Sequence, residues 1–250
     1  MARVVSRRRV LGIIAGATGL ELILEVSGYG LVKSLLPGET PREYNSWQSI
    51  VDEREYSIKV AQSVLDLFKK DFSPNEEDMY ILFANAKTGI IEKVTDRFVT
   101  RGKDSAGIEK GSIAHLDRIA RQHGYFVVGY YHSHPGPKTE STAGDLLSDD
   151  DLWSNENHPN EKIRLLGNGA EAMPFMTRAF LPIHSFHLGK DHPYLGRIEE
   201  FEKRGLVARS RYDGKPSGGY GPILELKIVP IRTSVEPTAD SIIDQHPPFK

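Results

Sequence analysis

Residues 125–145 read YFVVGYYHSHPGPKTESTAGD, and the reading of this stretch decides the rest. It opens with Phe126-Val127-Val128-Gly129-Tyr130-Tyr131, a short apolar run rich in β-branched and aromatic residues, the pattern of a buried strand. His132 and His134 follow two apart, so on an extended backbone both side chains leave by the same face. Pro135-Gly136-Pro137 ends the strand and forces a loop. Asp145 follows, within a stretch (143–153) that reads as an acid-rich helix. Two imidazoles from one strand face and a carboxylate from the next element make three ligands for a tetrahedral zinc ion. The fourth corner stays open for water, as in a catalytic rather than a structural site.

Bulk properties narrow the alternatives. A chain of 250 residues, 39% hydrophobic and 26% charged, belongs to the ordinary soluble globular class. A net charge of −2 provides no basic face for nucleic acid, so none is expected as a partner. Cysteine is absent, which removes disulfides and thiolate metal sites and leaves histidine and carboxylate to hold any metal.

The central stretch also resembles the signature of the JAMM (MPN-plus, JAB-domain) metalloproteases. That signature is His-x-His-Pro, a spacer, then Ser-x-x-Asp, with a glutamate far upstream. Here VVGYYHSHPG stands almost as the family writes it, Asp145 falls at the family's distance from His132, and Thr142 occupies the serine position. The resemblance covers about half of the chain, residues 56–190. It implies an α/β fold, a mixed β-sheet of JAMM/MPN (cytidine-deaminase-like) type flanked by helices, here with a C-terminal β-hairpin extension. It implies Zn2+ on His132, His134 and Asp145, and hydrolysis of a peptide or isopeptide bond in a protein or peptide substrate.

The family's general base is a glutamate at the start of the strand after the first helix. Glu77 fits best, because Ile81, Leu82, Phe83 and small Ala84 then match the family's apolar run. Glu76 is the alternative, two residues after Pro74, whereas Glu53 and Glu55 come too early. Thr142 would stand in for the serine that helps hold the oxyanion. Its hydroxyl donates the same bond, but its methyl group restricts the rotamers. Loss of one such donor costs ~10²–10³ in rate. The rival expectation is therefore a weak or inactive JAMM-like interaction domain.

Around this centre the chain organises into a segment 1–36, a domain 45–235 and a tail 236–250, expected to be extended. Ser6-Arg7-Arg8-Arg9-Val10-Leu11 resembles a twin-arginine export signal, which implies an exported protein. The alternative is an amphipathic N-terminal helix and a cytoplasmic protein. Glu21 and Glu25 interrupt the apolar stretch, so no membrane span is expected. Apolar spacing predicts helices at 57–70, 112–123 and 198–204, and strands at 79–84, 90–94, 98–100, 163–166, 175–181 and 183–188. The hairpin is expected at 206–212 and 223–231. His184, His187 and His192 lack a partner carboxylate and read as surface residues. Asp149-Asp150-Asp151 reads as a solvated helix face, and Trp153 as core.

Overall fold

The computed structural model describes residues 13–16, 19–22, 43–73, 75–101, 106–109, 111–134, 147, 162–170, 173–182, 198–208 and 223–246. The chain divides into two compact units, Met1–Arg42 and Glu43–Lys250. In the first, β1 (Ile13–Gly16) pairs antiparallel with β2 (Gly19–Leu22), and Gly16 opposes Gly19. β-branched Ile13 and Ile14 favour this extended backbone. The twin-arginine-like residues 6–11 lie outside the described residues. Among the described residues, no helix is long and apolar enough to cross a membrane.

The second unit runs α1 (Trp47–Ile50), β3 (Ser57–Ala61), α2 (Gln62–Asp71), β4 (Met79–Asn85), β5 (Ile91–Thr95), β6 (Val99–Arg101) and β7 (Ala106–Ile108). It continues with α3 (Ser112–Gln122), β8 (Tyr125–His134), β9 (Ile163–Ala170), β10 (Met173–Pro182), α4 (Ile198–Lys203), β11 (Val207–Ala208), β12 (Ile223–Ile231) and α5 (Asp240–Ile243). Neighbours pair in the order β10-β9-β8-β4-β5-β3-β12, and β12 then pairs back onto β10. The result is a closed, seven-stranded mixed β-barrel.

This closure overturns the expected α/β sheet of JAMM/MPN type flanked by helices. A flanked sheet keeps two free edges, but here antiparallel pairs such as Leu181–Leu224 join them. The expected C-terminal hairpin extension is likewise corrected. Its second strand, β12, is the closing stave, parallel to β3 and antiparallel to β10, and its pairing with β11 spans only two residues.

The helix expected at 57–70 splits in two. Ile58 and Val60 are buried while Lys59 is exposed, a period of two that suits β3 beside β12. Helical spacing takes over at Val64 and Phe68, which α2 buries in the same core as the barrel strands. Phe68 stacks on Tyr131 with ring centroids 3.8 Å apart and 4° between planes. By contrast α3 lies on the outer surface, where Leu116 and Ala120 pack on Ile81 and Phe83. The Asp117 carboxylate accepts the Val127 N–H at 2.9 Å and ties α3 to β8.

The C-terminal stretch is not extended along residues 236–246. The Lys93 ammonium donates to the carbonyls of Glu236 and Thr238 at 2.9 and 3.0 Å. α5 follows and buries Ile243 against the α3 cluster.

Candidate active site

The site is set by a phase slip in β8. Phe126 and Val128 point into the barrel core, and strict alternation would send His132 and His134 inward as well. A β-bulge intervenes: Leu82 opposes Gly129 while Phe83 opposes Val127, leaving one extra residue on β8. Beyond it Tyr131 joins the core, and His132 and His134 turn to the outer wall. Gly129 makes the slip feasible, since a Cβ there would overlap the carbonyl oxygen of Ile163 on β9.

On that wall His132 is 2% exposed and His134 is partly exposed. Their Nε2 atoms lie 3.2 Å apart and their ring centroids 4.9 Å apart. Two explanations of such closeness predict different centroid spacings. An imidazole centroid lies about 1.15 Å behind Nε2. Two nitrogens bound to one ion at about 2.0–2.1 Å, and this far from each other, therefore place the centroids about 5.0 Å apart. A head-on N–H···N bond of that length would place them about 5.5 Å apart. The pair is bent rather than head-on, a geometry open both to two ligands sharing one point and to a bent N–H···N hydrogen bond between the rings.

A second histidine pair serves as an internal contrast. His123, after α3, and His246, after α5, bring Nε2 atoms to 3.0 Å with centroids at 5.3 Å. A shared ion predicts about 4.7 Å there and a head-on hydrogen bond about 5.3 Å. That pair is a hydrogen bond.

The register also places the two candidate glutamates. Met79 opposes His132, Ser133 N–H donates to Asp78 O at 2.9 Å, and Asp78 N–H donates to Ser133 Oγ at 2.9 Å. Glu77 comes next along the chain, beyond the paired residues of β4. Glu77 is partly buried, whereas Glu76, one step out of phase, is exposed. Ser133, which the sequence reading passed over as the x of His-x-His, is therefore the clamp that holds this approach to β4. The parallel register with β9 sets Leu166 beside His132 and Asn168 beside His134, and Asn168 was also missed.

Thr142 and Asp145 lie outside the described residues, as do Asp149, Trp153, His184, His187 and His192. Leu147 is described: it is buried in an outer-wall cluster with Leu166, Phe180 and Ile223. Among the described residues, no three histidine or carboxylate side chains gather as a metal-holding group. Nearby cations are depressed or enclosed. Burial, and then the charge of Arg164, pushes the Lys162 ammonium below its ordinary pKa. Arg164 itself is 2% exposed, with its guanidinium 3.3 Å above the Tyr130 ring.

No family model matches the chain, and no curated protein matches it. Among solved structures it is similar to the solution structure of protein DSY2949 from Desulfitobacterium hafniense, at 13% identity. That similarity spans 70% of this chain and 93% of the other, with a TM-score of 0.42.

Proposed function

We propose that this protein is a zinc-dependent hydrolase that cleaves a peptide or isopeptide bond at the outer wall of β8, using the chemistry its HSHP motif shares with JAMM metalloproteases. The observation that carries the reading is that His132 and His134 leave β8 by one face and bring their Nε2 atoms to 3.2 Å. His132 and His134 supply two ligands and Asp145 the third. Two residues of chain reach at most about 7 Å, and Asp145 is two residues before Leu147. Leu147 packs on Leu166, the register neighbour of His132.

When bound, zinc supplies a Lewis acid that lowers the pKa of water to about 7 and polarises a carbonyl. Glu77 takes the proton of the attacking water and returns it to the leaving amine. Ser133 keeps Glu77 in position through its two bonds to Asp78. The Thr142 hydroxyl donates to the carbonyl oxygen as negative charge develops there.

The test uses the full chain loaded with zinc and a pool of synthetic peptides and isopeptide-linked pairs. Turnover is expected to stop with a chelator and to return with zinc. Glu77→Gln should retain the metal and lose about 10²–10⁴ in rate. His134→Gln should lose the metal, while His246→Gln, in the head-on pair, should keep both metal and rate. Undiminished zinc binding in His134→Gln, or turnover indifferent to the chelator, refutes the reading.

A further inference from the structure

The residues flanking the imidazoles form a row across the outer wall. Asn168 neighbours His134, Met176 opposes Asn168, and β4, which Glu77 precedes by two residues, pairs with the other edge of β8. Residues directly paired across strands share a face. Adjacent strands are about 4.8 Å apart, so Met176 stands about 10 Å from His134, away from Glu77. Met176 is 48% exposed, while Phe175 before it turns inward against Phe72. A single exposed methionine is ordinary; its position in line with the imidazoles is what matters. The next outward residue of β10, Arg178, is held by Glu225 through bonds of 3.0 and 2.7 Å, so its charge is already matched.

We propose that Met176 is a specificity-determining residue that contacts an apolar side chain about three residues on the acyl side of the bond cut. The inference rests on the hydrolase reading above. Glu77 delivers a proton to the leaving amine, so the amine half of the substrate lies over β4 and the acyl half over β9 and β10. An extended peptide advances about 3.3 Å per residue, so it covers the distance to Met176 in about three residues.

The experiment profiles cleavage of a synthetic decapeptide pool by zinc-loaded wild type, Met176→Leu and Met176→Lys. Wild type and Met176→Leu should prefer leucine over glutamate at that position by about tenfold in kcat/KM, expressed in KM. Met176→Lys should reverse the preference with unchanged zinc content and Tm. A second readout needs no turnover. In the Glu77→Gln background, fluorescence anisotropy of labelled leucine and glutamate peptides should show the same order of affinity, again reversed by Met176→Lys. Cleavage by wild type with a profile that Met176→Lys leaves unmoved overturns this inference and spares the hydrolase reading. Absence of any cleavage by wild type removes both.

Discussion

Replacing Tyr131 with phenylalanine tests the assignment of the two faces of β8. Tyr131 is 1% exposed, and its hydroxyl has no hydrogen-bond partner among the described residues. The oxygen lies against Gly167, where a Cβ would overlap it. Burial first, and then the charge of Asp78, drives the phenol pKa above its ordinary range. An unsatisfied buried hydroxyl costs about 1–3 kcal/mol. Tyr131→Phe removes that cost and keeps the stack on Phe68, with a small loss of dispersion contact at Gly167. The expected gain is about 1–2 kcal/mol. In a unit of this size each kcal/mol moves Tm by about 2–4 °C, so the rise should be about 2–8 °C. Thermal and urea unfolding of the full chain measure it. Zinc affinity should not change, because the ring points away from the imidazoles. A loss of about 1 kcal/mol or more would show that the hydroxyl has a partner, and weakened zinc binding would show that the faces are misassigned.

Two further outcomes follow from the same wall. Gly129→Ala should cost about 4 kcal/mol or more, because the clash is with the Ile163 backbone, which cannot rotate away. Soluble expression, Tm and zinc content should fall together, and a variant of normal stability refutes the close-approach account. Tyr125 donates to Glu92 at 3.0 Å, and burial, then the Glu92 charge, pushes its phenol up to about 12. The unfolded value is about 10, so above that pH the unfolded chain releases a proton that the folded one keeps. Stability should therefore fall as pH rises from about 10 to about 12. In urea titrations across that window the decline should be shallower in Tyr125→Phe, and an identical decline refutes the assignment.

How much of the fold was legible depended on whether a segment's burial could be told from its own residues. Strands β4, β5, β8, β9 and β10 carry unbroken apolar or alternating runs and stand close to their expected positions. The 57–70 stretch misled because Ile58, Val64 and Phe68 satisfy a helical period while Ile58 and Val60 also satisfy a period of two. Only the partner β12 settles which wins, and it lies 170 positions along the chain, as the pair Ser57–Lys227 shows. Closure was out of reach for the same reason. The alternation of residues 223–231 marks a strand, but nothing local says that its outer neighbour is β10 rather than solvent.

The closeness of the two imidazoles was legible in a different way. His-x-His on a strand is enough to put both rings on one face, and it did. Which face depends on the extra residue between Phe126 and Tyr131, and a bulge has no signature in hydrophobicity. Its one trace is Gly129, a glycine inside an apolar strand, which is where a bulge or a close backbone approach is expected. The choice between Glu76 and Glu77 is of the same kind: counting from Pro74 or from Ala84 gives different answers. The hydrogen bonds between Asp78 and Ser133 carry the approach of the two strands one residue past Met79, next to Glu77. The proposed chemistry thus depends on a one-residue slip in β8. Removed from β8, that slip would send both imidazoles into the barrel core, beside Tyr80 and Phe68, where no peptide can reach them.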